Sequence, residues 1–207
     1  MKLYGHPMST CTRKVLCTFA EKGVTPEFVL VDIMTGGGKS PEHLARQPFG
    51  QVPAIDDNGF VLYESRAIIR YLDEVLPGAP LTPKDAKGRA TMEQWMSVEA
   101  ANFYSHAMAI IYQLYFGPMR KLEPDMAKVT AAREKLNVWG DIMEKQLAKG
   151  PHILGDNFSL ADISYMPYVE YLMPTSQADI ITSRPKLAAW WKVVSARPSW
   201  QKAIGAA

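Results

Sequence analysis

The chain changes character at one proline- and glycine-rich stretch, Pro77-Gly78-Ala79-Pro80-Leu81-Thr82-Pro83. Proline lacks a backbone N–H and glycine lacks a Cβ, so such a stretch continues neither a helix nor a strand and reads as a linker. Before it, short apolar runs alternate with turn residues. After it, no strand-like alternation occurs. The expected organisation is a small α/β domain over residues 1–77, a linker over 78–88 and an all-helical domain over 89–207.

Within the first part, Lys2–Tyr4 reads as a short strand stopped by Gly5-His6-Pro7. Val15, Leu16, Phe19 and Ala20 recur at helical spacing over residues 10–21, and Gly23 follows as a stop. Residues 27–33 are β-rich, and residues 41–46 read as a short helix. Two strands, 52–55 and 60–62, flank Asp56-Asp57-Asn58-Gly59, and Asn-Gly is a strong hairpin signal. Ala67, Ile68, Tyr71, Leu72 and Val75 form one face of a helix over 65–75. The order β-α-β-α-β-β-α has room for a parallel βαβ unit followed by an antiparallel hairpin and a closing helix, a thioredoxin-like arrangement. Beyond the linker, helices are expected over 89–118, 124–149, 159–173 and 185–204.

Composition removes several classes of function. Lys plus Arg is 23 and Asp plus Glu is 21, a net charge of +2, too small for a default nucleic-acid or acidic-membrane partner. No apolar run reaches the ~18–20 residues of a membrane span. The N-terminus carries no apolar signal-peptide core, and the two cysteines, Cys11 and Cys17, lie six apart in one helix. A reducing, cytoplasmic setting is expected. No zinc spacing occurs, so no metal is expected. Gly38-Lys39-Ser40 resembles the end of a phosphate loop, but position 33 is Ile where that loop needs Gly.

The positive signals fall on the first domain. Ser9 follows the first strand and its turn and opens the first helix. It can cap that helix, and the same place favours an anion such as a thiolate. Cys11 reads as a small buried hydrophobe or a second thiol candidate. Pro53 heads a strand; a cis Val52–Pro53 bond would leave the Val52 backbone groups to pair with an extended peptide. Otherwise Pro53 is an ordinary edge-strand proline. Ser65 is a cap candidate at the next strand-to-helix junction. With Glu64 before it, the pair suits an amino-acid zwitterion or serves as a plain cap with a solvated Glu.

These residues carry a resemblance. Pro48-Phe49-Gly50-Gln51-Val52-Pro53-Ala54, Leu62-Tyr63-Glu64-Ser65-Arg66-Ala67-Ile68 and the capping box Ser159-Leu160-Ala161-Asp162-Ile163 resemble the cytosolic glutathione transferases, over essentially the whole chain. Gly5-His6-Pro7-Met8-Ser9-Thr10, with Thr12-Arg13, resembles the serine motif of the phi class. So do Pro41-Glu42-His43-Leu44, Val98-Glu99-Ala100 and Phe116-Gly117-Pro118-Met119.

The resemblance implies an enzyme that conjugates glutathione, as co-substrate and without a cofactor, to small hydrophobic electrophiles in detoxification. Ser9 would stabilise the glutathione thiolate. Glu64 and Ser65 would hold the γ-glutamyl end, and the Val52 backbone beside Pro53 the cysteinyl unit. Lys39, helped by Gln51, would hold the glycyl carboxylate. Gly38 stands where relatives often carry His or Gln, so one contact there would be missing. Met8, Tyr112 and Phe116 would line the electrophile site between the domains, with core packing as the other reading of Tyr112 and Phe116. A homodimer is implied, with Phe49 as its aromatic anchor or else as a local core residue. Two other functions fit the fold: a glutathione-dependent thiol reductase using Cys11, and a non-catalytic carrier of hydrophobic ligands.

Overall fold

The computed structural model describes residues 1–206. Its first unit comprises residues 1–81 and the segment from Arg197 on. The chain order is β1 (Lys2–Gly5), α1 (Thr10–Glu21), β2 (Glu27–Leu30), α2 (Pro41–Leu44), β3 (Ala54–Asp57), β4 (Phe60–Tyr63) and α3 (Ser65–Val75). A single 3-10 turn, Gly37–Lys39, precedes α2. The sheet order is β2-β1-β3-β4, with β1 parallel to β2 and the other two pairs antiparallel.

Strand β3 begins at Ala54, two residues later than the sequence pattern places it, where its pairing with β1 and β4 starts; the Val52–Pro53 peptide before it is cis. The hairpin turn falls on Asn58 and Gly59, both at positive φ. That is the geometry a tight β-turn demands and that Asn and Gly tolerate best.

Burial of apolar faces holds the unit together. Leu3, Ile55, Ile68, Ile69 and Leu72 are fully buried, and so are Val15 and Cys17 of α1. Tyr4 packs with Val31 and Ala54, and the Arg46 guanidinium lies 4.1 Å from its ring centre. A buried ion pair joins parts distant in sequence. Lys22 Nζ donates to Asp73 Oδ1 at 3.0 Å and to the carbonyls of Asp73 and Ala79, while Asp73 Oδ1 also accepts from the Leu81 N–H. The pair is nearly inaccessible to water, so each charge depends on the other.

The final helix, α11 (Pro198–Ile204), packs on α1 and belongs to this unit rather than to the helical one expected over 89–207. Pro198 at its first position restarts the chain after α10 (Pro185–Ser195), so the expected helix 185–204 is two helices. Trp200 and Ala203 are buried, and Arg197 donates twice to the Glu21 carboxylate at 2.8 Å.

The second unit, residues 82–196, is helical. Between Ala86 and Met119 the backbone is one helical run, α4 (Ala86–Val98), α5 (Tyr104–Ile111) and α6 (Gly117–Met119), interrupted by π turns at Glu99–Phe103 and Tyr112–Phe116. Then come α7 (Met126–Leu147), α8 (Leu160–Leu172), a short α9 (Asp179–Thr182) and α10. Phe103 centres the core, with ring centres of Trp139, Tyr165 and Tyr168 at 4.3, 5.0 and 5.7 Å. Ser159 and Asp162 form the expected capping box at the start of α8. The buried Asp162 carboxylate also accepts from the Ile153 N–H at 3.0 Å and from Trp190 Nε1 at 2.9 Å. Burial pushes its carboxyl up, and these donors pull against that rise.

Two outcomes are expected in urea unfolding. Lys22→Met leaves a buried unpaired Asp73 and destabilises by about 3–5 kcal/mol, while pairing it with Asp73→Leu recovers most of the loss. Asp162→Ala strands the donors of Ile153, Ser159 and Trp190 and destabilises by about 3 kcal/mol or more.

Candidate functional site

Strand directions decide which loops meet. Tyr4 stands opposite Ala54, and Ala54 opposite Tyr63, so the end of β1, the start of β3 and the end of β4 lie at one end of the sheet. Because β2 runs parallel to β1, the loop that leaves it toward Lys39 starts from that end too. The topology thus gathers Met8, Ser9, Val52, Pro53, Glu64 and Ser65, and the segment that leads to Lys39.

Local hydrogen bonds fix the turn that carries Ser9. The Ser9 N–H donates to the His6 carbonyl at 2.9 Å, and the Met8 N–H to His6 Nδ1 at 3.2 Å. Arg13 Nε reaches back to the Pro7 carbonyl. Ser9 is the N-cap of α1, with φ −73° and ψ 125°, and its Oγ accepts from the Thr12 N–H at 3.2 Å. That bond uses an oxygen lone pair. The hydroxyl proton stays available to a second acceptor. Ser9 and Met8 are half-buried.

The segment before β3 is pinned from two sides. The Gln51 N–H donates to Gln47 Oε1 at 2.9 Å, and the Gln51 carbonyl accepts from His43 Nε2 at 2.7 Å. For the next residue, Val52, neither the N–H nor the C=O has a hydrogen-bond partner among the described residues. Its side chain packs against the Tyr4–Ala54 cluster. Sequence reading placed His43 in a motif resembling the phi class but gave neither His43 nor Gln47 a site role. The four-residue step from Gln47 to Gln51 was a faint signal; the His43 contact, across eight residues of loop, had none.

Ser65 is not the cap of α3. It is the first helical residue, 4% exposed, and Glu64 holds the cap position without a side-chain hydrogen bond. Glu64 has φ 71° and ψ 107°, in a region an L-residue enters only at a cost of about 1–3 kcal/mol. The sharp bend turns the chain from strand into helix within one residue.

Lys39 is exposed, and its Nζ donates to the Phe49 carbonyl at 2.9 Å. Around it two glycines meet backbone to backbone. A Cβ on Gly38 would stand 2.5 Å from the Gly50 carbonyl oxygen, and one on Gly50 would stand 2.7 Å from the Gly38 oxygen. Position 38 therefore accepts no side chain unless the loop shifts. Phe49 is 63% exposed, with its ring edge-on to Tyr63, so it is no core residue of this chain.

Tyr112 and Phe116 lie in the second unit, at the two ends of the second π turn. Tyr112 is 43% exposed. Phe116 is half-buried against Tyr115 and Tyr171, with ring centres at 5.3 and 4.9 Å. Both cysteines are free thiols. Burial first, then the nearby Glu21, push the Cys17 thiol far above its ordinary value. Cys11 is half-buried and sits about 200° around α1 from Ser9 at 100° per residue. Among the described residues no cluster of three metal-ligating side chains occurs, and no helix is long and apolar enough to cross a membrane.

Comparison with known proteins agrees along the whole chain. Residues 1–74 match the glutathione S-transferase N-terminal domain and residues 107–202 the glutathione S-transferase C-terminal domain. The chain is 40% identical to glutathione S-transferase F11 of Arabidopsis thaliana, over 98% of this chain and 96% of that protein. Its fold is similar to glutathione transferase F2 from Populus trichocarpa, with a TM-score of 0.93 and 36% identity over 99% of this chain and 97% of that one. It is also similar to glutathione S-transferase I from maize in complex with an atrazine glutathione conjugate, with a TM-score of 0.90 and 33% identity over 99% and 96%. The chain belongs to the glutathione S-transferase family, as an enzyme most similar to its phi class.

Proposed function

We propose that this transferase joins the thiolate of glutathione to small apolar electrophiles, with Ser9 as the group that stabilises the thiolate. One observation carries the reading: capping α1 uses an acceptor of the Ser9 hydroxyl and leaves its proton free to donate. A sulfur placed there gains that hydrogen bond and the partial positive charge of a twelve-residue helix. A free thiol ionises near pH ~8.5, and these two effects together lower it by about one to two units. The thiol proton passes to solvent. The sulfur lone pair then forms the bond to the electrophilic carbon, whose leaving group departs with its electron pair. Ser9 forms no covalent bond.

The remaining roles follow from the strand ends. The free N–H and C=O of Val52, beside Pro53, suit the cysteinyl backbone of glutathione in the manner of strand addition. Glu64 and Ser65 suit its γ-glutamyl ammonium and carboxylate. Lys39, assisted by Gln51, suits the glycyl carboxylate. One Lys39 proton is held by Phe49, and an ammonium has two more to offer. With no side chain possible at Gly38, Lys39 has no histidine or glutamine beside it in this role.

Met8, Tyr112 and Phe116 are the residues proposed for the apolar second substrate. The atrazine conjugate bound to the maize relative supports an aromatic, leaving-group-bearing compound. The same reading makes the protein a cytoplasmic homodimer, with exposed Phe49 as the anchor that one copy offers the other.

In conjugation assays with a chlorodinitrobenzene-type electrophile, Ser9→Ala is expected to lower kcat/KM at least tenfold, about 1.4 kcal/mol of lost barrier stabilisation. Because the thiolate is the reactive form, the rate rises with pH. The wild-type midpoint is expected below the free-thiol value, and the Ser9→Ala midpoint shifts up toward it. Unchanged rate and unchanged midpoint would remove Ser9 from the mechanism. Lys39→Ala is expected to raise KM for glutathione about five- to tenfold with kcat little changed, as loss of uniform binding would.

A further inference from the structure

Both backbone groups of Gln51 are taken by nearly buried side chains. Gln47 Oε1 takes its N–H at 2.9 Å and His43 Nε2 meets its C=O at 2.7 Å. His43 and Gln47 are each 2% exposed. A carbonyl only accepts, so Nε2 must carry a proton, and in the neutral ring Nδ1 is then a bare acceptor. That Nδ1 is buried and has no hydrogen-bond partner among the described residues. A histidine kept here with one nitrogen unsatisfied is a poor choice for packing alone, since a buried unpartnered polar atom carries a free-energy penalty. The bond to Gln51 is the part of this side chain that an apolar residue could not supply.

We infer that His43 and Gln47 are positioning residues that set the register at which this enzyme reads the backbone of its thiol substrate. With both groups of residue 51 occupied, the first backbone donor and acceptor open to an extended ligand belong to Val52. The His43 contact fixes the plane of the peptide between 51 and 52, and with it the direction in which the Val52 N–H points, while the Gln47 contact fixes the peptide before it, between 50 and 51. His43 is itself held in place. Its N–H is capped by Ser40 Oγ at 3.2 Å, and Pro41 opens the turn of helix that carries it. Gln47 follows at the end of the same segment, its N–H bonded to the His43 carbonyl at 2.8 Å. Ser40, His43, Gln47 and Gln51 thus form one chain of hydrogen bonds that ends at the residue before Val52.

This inference rests on the reading that Val52 pairs with the glutathione backbone, and its test separates the two. Glutathione binding to wild-type protein is measured first by titration calorimetry; absence of binding overturns the reading of Val52 itself. Steady-state kinetics then follow for His43→Phe, His43→Gln and Gln47→Leu. His43→Phe loses the donor but also removes the unpartnered Nδ1, so its thermal midpoint is expected to stay within a few degrees of wild type. Its KM for glutathione is expected to rise about tenfold, with kcat and the KM for the electrophile unchanged. His43→Gln, whose amide restores a donor, is expected to recover most of the loss. Gln47→Leu is expected to match His43→Phe. The double variant is expected to lose little more than either single one, because both hold the backbone of one residue. Amide exchange at Gln51 provides a readout independent of catalysis and is expected to accelerate in Gln47→Leu. The inference is overturned if wild type binds glutathione and His43→Phe does so equally well. It is also overturned if kcat and both KM values change together and His43→Gln restores nothing, the pattern of a merely structural residue.

Discussion

A Cβ on Gly5 would stand 2.6 Å from the Thr12 methyl carbon. That missing atom lets α1 sit directly on the end of β1. Thr12 is fully buried there and its Oγ1 accepts from the His6 N–H. The contact leaves only four residues, His6 to Ser9, to connect strand and helix. Ser9 is consequently delivered to the top of the sheet as the cap of a helix whose position is already fixed. The same end of the sheet receives Val52 and Glu64 because the β1–β3 and β3–β4 pairings are antiparallel. One close approach and two strand directions account for most of the site.

Ionic and hydrogen-bonding groups divide into two sets. One set is closed. Lys22 and Asp73 satisfy each other and two carbonyls, and Asp162 takes the donors of Ile153, Ser159 and Trp190. Such groups resist change because removing one partner leaves the others buried without compensation. The other set is left open at the sheet end, where the Val52 backbone has no hydrogen-bond partner among the described residues and the Lys39 ammonium has one carbonyl. Open groups there hold no other part of the chain, and in the reading proposed above they pair with glutathione.

Sequence alone made the closed parts of the fold legible where they were local. The helix over 65–75, the Asn58-Gly59 turn and the Ser159–Asp162 box each show within a few residues, and the structure contains each. It also made Ser9 legible, since capping is read from a residue and its immediate neighbours. What stayed hidden was long-range or sub-residue in scale. Lys22 and Asp73 are 51 positions apart, and Arg197 and Glu21 are 176 apart, so no spacing rule announces either pair. The shift of the α3 cap from Ser65 to Glu64 depends on a positive φ at a non-glycine residue, which composition argues against. His43 escaped because a buried histidine is ordinarily a packing residue, and only the 2.7 Å contact distinguishes this one.

The helix starts give the same division a finer form. A side-chain oxygen covers the first N–H groups of α1, α2, α4, α7 and α8, from Ser9, Ser40, Asp85, Asp125 and Ser159. The start of α10 lies under the Glu144 carboxylate, which accepts from the N–H groups of Lys186 and Leu187. Helix α3 has no such cover from its own cap: Glu64, at φ 71° and ψ 107°, makes no capping bond. The start of α3 is thus left without a side-chain cap beside an acidic residue. An ammonium and a carboxylate on one carbon of a ligand satisfy both at once. This is why the α-amino acid end of glutathione, and not a simple anion, is the natural occupant of that corner in the reading given above.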